Sequence, residues 1–177
     1  LLYWNRGKWK FERASLVQHP PPSKIVTGIV ADFTGDGNVD FLCTLSGGNT
    51  GFRLYVGNSD GVFPTTPRVI FPEFDSLNDI DLHRTLTAGD VDGDGDLDLW
   101  VGQYLPPYYL GQMPAPYYDA NDSFPSYLLL NQGEGNLIDA TEKSGLTKNR
   151  NRRNFSGSLI DLDEDGDLDF LSVNDFA

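Results

Sequence analysis

Apolar and polar residues alternate along this chain in short runs, and Gly, Asn, Asp and Pro punctuate them where a helix would continue. Three such runs precede acidic turns: Ile25-Val26-Thr27-Gly28-Ile29-Val30, Thr85-Leu86-Thr87-Ala88 and Ser156-Gly157-Ser158-Leu159-Ile160. Three more follow them: Val39-Asp40-Phe41-Leu42, Leu97-Asp98-Leu99-Trp100-Val101 and Leu168-Asp169-Phe170-Leu171-Ser172-Val173. Each set predicts a strand, a turn and a second strand. A different pattern, apolar run, Asn/Gly turn, apolar run, occurs at Leu2 to Phe11, Leu54 to Phe63 and Leu128 to Leu137, and predicts hairpins. No stretch reads as a convincing amphipathic helix; the best candidate, Asp139 to Leu146, allows two turns at most.

The two patterns alternate, which makes the chain an internal repeat with a period of 50 to 70 residues, the signature of a propeller or an array. Residues 1–15 read as the second half of a repeat, 24–72 and 82–142 as full repeats, and 153–177 as the first half of another. The second full repeat carries a surplus at 103–125, with five tyrosines and four prolines between Tyr104 and Tyr118. It lacks period-2 alternation and predicts an ordered surface loop.

The turns between paired strands share a nine-residue pattern. The first runs Asp32, Thr34, Asp36, Asn38, Asp40 at positions 1, 3, 5, 7 and 9; the second Asp90, Asp92, Asp94, Asp96, Asp98; the third Asp161, Asp163, Asp165, Asp167, Asp169. Gly37, Gly95 and Gly166 hold position 6, where the backbone must reverse. These windows hold 14 of the 26 carboxylates in a chain of formal charge −13. Alternate residues of a tight loop can point at one ion, and calcium takes six to eight oxygen ligands. The pattern therefore predicts three Ca2+ sites, the first weakened by Thr34. An EF-hand is excluded: it needs a carboxylate at position 12, which is Cys43, Val101 or Ser172 here, and flanking helices.

The loop between strands, followed by the apolar-Asn-x-Gly hairpin, resembles the FG-GAP or VCBS-type repeat, which forms blades in the β-propeller of integrin α subunits and in many bacterial surface proteins. The resemblance covers nearly the whole chain outside the Tyr/Pro surplus. It implies an all-β fold of four-stranded propeller blades, two complete and two half, with calcium held by the loop residues named above. Thr34 departs from the family's usual acid or Asn.

Two arrangements follow from half-blades at each end. Either the chain is an excerpt of a larger propeller, acting as a carbohydrate- or protein-binding module, or the C-terminal half-blade of one copy pairs with the N-terminal half-blade of another. The second arrangement would give a self-assembling extracellular structural or adhesive protein.

Other classes fit poorly. An acidic chain is a poor nucleic-acid partner. No apolar run reaches the ~20 residues of a membrane span. His19 and His83 stand in no catalytic motif, no nucleophile elbow or phosphate loop occurs, and no enzyme activity is expected. Cys43, in the run Phe41 to Leu45, reads as a small buried apolar residue, and a single cysteine rules out a disulfide framework. Asn121-Asp-Ser123 and Asn154-Phe-Ser156 are glycosylation sequons compatible with a secreted protein.

Overall fold

A computed structural model describes residues 2–17, 24–45, 51–61, 63, 64, 66–70 and 83–176. His19 lies outside them, as does Val62 of the second predicted hairpin. The described residues form four antiparallel sheets and no α-helix. None of their helices is long and apolar enough to cross a membrane. Sheet one pairs Leu2–Asn5 (β1) with Phe11–Ala14 (β2). Sheet two runs in chain order through Ile25–Ala31 (β3), Asp40–Leu45 (β4), Phe52–Tyr55 (β5) and Arg68–Ile70 (β6). Sheet three repeats this order with His83–Gly89 (β7), Asp98–Gln103 (β8), Tyr127–Asn131 (β9) and Leu137–Asp139 (β10). Sheet four pairs Arg153–Ile160 (β11) with Asp169–Asp175 (β12).

Each sheet is a meander, and the second strand of each four-stranded sheet is buried on both faces. That is why β4 and β8 read as near-continuous apolar runs while β3 alternates between half-buried and exposed positions. The main core lies between sheets two and three: Leu42, Phe52, Leu54 and Ile70 meet Leu99, Val101, Tyr127 and Leu129. Phe41, Cys43, Tyr55 and Phe63 build a second cluster on the opposite face of sheet two. Burial pushes the Cys43 thiol up to about 11, with Arg53 opposing the rise, so Cys43 is an inert core thiol. Sheet four packs on sheet three through Trp100 and Phe170, whose ring centroids are 4.1 Å apart. A Cβ at Gly157 would lie 2.9 Å from the Trp100 indole, so only glycine lets the two sheets approach this closely.

One sequence expectation is corrected. The hairpin partner of β5 is not Phe63 but β6, with Phe52 opposite Ile70 and Leu54 opposite Arg68. Pro64 and Pro67 interrupt the intervening segment, where a residue without an N–H cannot continue a ladder. Phe63 instead fills the gap against the Phe41 ring, 6.1 Å away between centroids. Asp139 to Leu146 makes turns, in keeping with the lack of a convincing helix pattern there. Asp139 captures both the amide (2.9 Å) and the hydroxyl (2.6 Å) of Thr141, and Gly145 adopts a φ of 78°.

Candidate metal centres

All three acidic loops connect the first and second strands of a sheet, β3–β4, β7–β8 and β11–β12, and they share one backbone design. The position-1 aspartate folds back over its own loop. Asp90 accepts the amides of Gly93 (2.8 Å) and Gly95 (3.0 Å), Asp32 those of Gly35 and Gly37 (both 2.8 Å), and Asp161 those of Asp165 (3.2 Å) and Gly166 (3.0 Å). The position-5 aspartate accepts the amide of position 7 at 2.8–2.9 Å in each loop. Positions 4 and 6 lie at positive φ throughout, which lets the backbone curl under the position-1 carboxylate.

The loops differ in what remains for a cation. In the second, Asp90, Asp92 and Asp98 each place a carboxylate oxygen within 4.8 Å of the others, and in the third Asp161, Asp163 and Asp169 do the same. A carboxylate offers about four lone-pair sites. Asp98 uses two, accepting from Val91 and Asn131 amides at 2.8 and 2.9 Å. Asp169 uses one, for the Leu162 amide at 3.0 Å. Asp40 in the first loop uses four: the amides of Phe33, Thr34 and Gly57 and the Thr34 hydroxyl, at 2.9 to 3.1 Å. Three of these bonds, the Thr34 hydroxyl's among them, crowd Oδ2, while Oδ1 accepts only the Gly57 amide.

The position-9 aspartate therefore has a second task, not read from the sequence. In sheets two and three it is fully buried and ties the acidic loop to the turn after the third strand, through Gly57 or Asn131. The signal was its place as the first residue of the second strand, facing the neighbouring hairpin. Burial raises the Asp98 carboxyl above its usual range, hydrogen bonds from Asn131 and Val91 oppose this, and nearby Asp92 and Asp94 add to it. Asn131 reaches further, donating its side-chain amide to the Phe33 carbonyl of sheet two at 2.9 Å.

The Tyr/Pro segment lies over the end of sheet four. The Tyr104 hydroxyl pairs with Asp175 at 2.7 Å, Tyr117 meets the Phe176 ring, and the Ala120 amide donates to the Phe176 carbonyl at 2.8 Å. Asp122 holds the buried Arg153 guanidinium at 3.0 Å, and Arg153 also donates to the Leu105 carbonyl. Tyr108 and Tyr118 remain exposed. Of the two sequon asparagines, Asn121 is exposed on this segment. Asn154 is 1% exposed, and its Nδ2 donates to Ser172 Oγ at 2.9 Å, which leaves no room for a glycan in the folded chain.

Repeated meanders, each with an acidic, glycine-reversed loop between its first two strands, define an all-β repeat protein. Residues 32–101, from the first acidic loop into the second strand of sheet three, match the family model of the FG-GAP-like repeat. No curated protein matches the chain.

Proposed function

We propose that this chain is an extracellular, calcium-binding structural repeat module that serves adhesion or assembly rather than catalysis. The observation that carries the reading is the convergence of Asp90, Asp92 and Asp98, and of Asp161, Asp163 and Asp169, each set within 4.8 Å. Two carboxylates about 4 Å apart repel by roughly 4 kcal/mol at an effective dielectric near 20. In each set two of the three carboxylates are held by backbone amides, and the cluster suits a hard cation with flexible coordination, which is calcium. The second and third loops are the strong sites, and the first is weak because it has three aspartates, with Thr34 where the other loops place Asp92 and Asp163. The exposed sequon at Asn121 agrees with a secreted setting.

Titration calorimetry of the chain, and of its D92N and D163N variants, tests the reading. The intact chain is expected to bind two ions tightly, and each variant to lose one. Calcium at tenfold its dissociation constant adds about 1.4 kcal/mol per site, so the melting temperature falls on chelation. A melting temperature indifferent to chelator, with no calorimetric signal, would sink the calcium reading.

A further inference from the structure

The second acidic loop is joined to the first by a hydrogen-bond relay that crosses from sheet three to sheet two. Asp98, at position 9 of loop two, accepts the Asn131 backbone amide on Oδ1 at 2.9 Å. The Asn131 side chain then reaches across, donating Nδ2 to the Phe33 carbonyl of loop one at 2.9 Å and to the Leu97 carbonyl of loop two at 3.2 Å. The Phe33 carbonyl and the Thr34 N–H belong to one planar peptide unit. That Thr34 amide donates to Oδ2 of Asp40, at position 9 of loop one, at 3.0 Å. From this continuity we infer that Asn131 is a positioning residue through which an ion in loop two raises the calcium affinity of loop one. The inference rests on the calcium reading above and assigns the regulation of those same sites.

Three observations support the relay. Burial is the first. Phe33, Asp40, Asp98 and Asn131 are fully buried, so water cannot stand in for a bond that opens. Orientation is the second. Asn131 Oδ1 has no hydrogen-bond partner among the described residues, so the side-chain amide is turned by its two donor bonds alone. Reversed, it would set an oxygen against two carbonyls. The third is a contrast within the fold. Sheet two carries Gly57 at the place of Asn131, with the same backbone bond to Asp40 Oδ1 at 2.9 Å and no side chain to carry it further. Asn131 therefore adds a bridge to a scaffold that holds the position-9 aspartate without it.

An ion in loop two acts on the relay in one direction. Without it, the carboxylates of Asp90, Asp92 and Asp98 repel one another within 4.8 Å, and Asp98 is the member that holds the Asn131 amide. An ion gathers the three, fixes Asp98, and through Asn131 fixes the Phe33–Thr34 peptide. Loop one then meets its ion with the Asp40 carboxylate already oriented, so less ordering accompanies the second binding event, which is positive coupling. Direct repulsion between the two ions works the other way, and the loops do touch: a Cβ on Gly35 would lie 3.4 Å from Asp96 Oδ1. Salt screens that repulsion, with a Debye length of about 8 Å at physiological ionic strength. The buried relay is not screened, so the coupling should strengthen as salt is raised.

Calorimetry on chains with loop three disabled by Asp163→Asn tests the relay as a cycle. Loop one should bind calcium at least about fivefold tighter with loop two intact than with it disabled by Asp92→Asn. Asn131→Ala keeps the backbone amide and removes the side-chain bridge; with it in both chains, that ratio should fall to about one or below. Hydrogen exchange followed by NMR leaves Asn131 native and serves even where Asn131→Ala fails to fold. In a chain carrying Asp36→Asn and Asp163→Asn, calcium fills loop two alone. It should slow exchange of the Thr34 amide at least about fivefold, while the Gly37 amide, held by Asp32 in the same loop, changes little. A ratio unchanged by Asn131→Ala, or a Thr34 amide indifferent to calcium bound in loop two, overturns the relay and leaves the calcium reading standing. Absence of any calcium signal from loop two overturns both.

Discussion

Glu164 occupies the fourth position of the third loop with a φ of 63°, where the first two loops place Gly35 at 70° and Gly93 at 75°. A side chain in the left-handed region costs roughly 1–2 kcal/mol, and glycine's greater freedom in the unfolded chain returns part of it. Glu164→Gly is therefore expected to stabilise the protein by about 0.5–1 kcal/mol, read as a higher urea midpoint at unchanged slope. The third position of the first loop offers the converse experiment. Thr34→Asp removes the hydroxyl that donates to Asp40 at 3.1 Å and adds a carboxylate where the other loops have Asp92 and Asp163. The variant should bind calcium in loop one at least tenfold tighter, about 1.4 kcal/mol, by calorimetry on a D92N/D163N background. In chelator it should be less stable than the parent, because the new charge then faces Asp40 and Asp36 without an ion.

At the scale of elements, the ion pair of Asp122 with Arg153 joins the Tyr/Pro segment to the first residue of β11. Burial works to raise the Asp122 carboxyl, but the Arg153 hydrogen bond, the Ala115 amide and the Arg153 charge outweigh it and hold the group below its ordinary value. Its contribution is then complete above the unfolded value of about 3.9 and is lost as pH falls through the lower folded one. Asp122→Asn leaves a buried guanidinium without its counter-ion and should cost about 2–3 kcal/mol near neutral pH, somewhat below the range for a fully buried pair because Asp122 is partly exposed. The gap between variant and parent should close in acid below that window; a gap constant from pH 7 to 2 would show that the charge is not what matters. This pair was invisible in the sequence, since residues 31 apart in a segment without periodicity give no pairing signal. The strands flanking the acidic loops were legible because two-residue alternation and Gly/Asp turns act locally. The strand after Tyr55 was misplaced because Phe63 and β6 offer similar apolar patterns, and only the packing of Phe63 on Phe41 decides between them.

Across the whole molecule, stability is unevenly distributed. Sheets two and three share a core in which Leu42, Leu54, Leu99 and Leu129 are fully buried, and Asn131 stitches one sheet's turn to the other's loop. Sheet four meets sheet three on one face only, and Leu171 and Val173 on its other face are half exposed. It is held by the Trp100–Phe170 contact, the Thr87 hydroxyl bond to the Gly157 carbonyl at 2.8 Å, the Arg153–Asp122 pair and its acidic loop. Elements with few buried apolar contacts open at a free energy well below that of global unfolding. Sheet four should therefore be the unit most dependent on calcium, because the mutual repulsion of Asp161, Asp163 and Asp169 is set against the smallest apolar area. Hydrogen exchange followed by mass spectrometry separates the contributions. In chelator the amides of β11 and β12 should exchange at least tenfold faster than in calcium, while those of β4 and β8 change much less. The same comparison on a D163N background should abolish the calcium protection of sheet four alone. Equal loss of protection in all four sheets would mean that the ions stabilise one cooperative unit, and that the third loop has no local role.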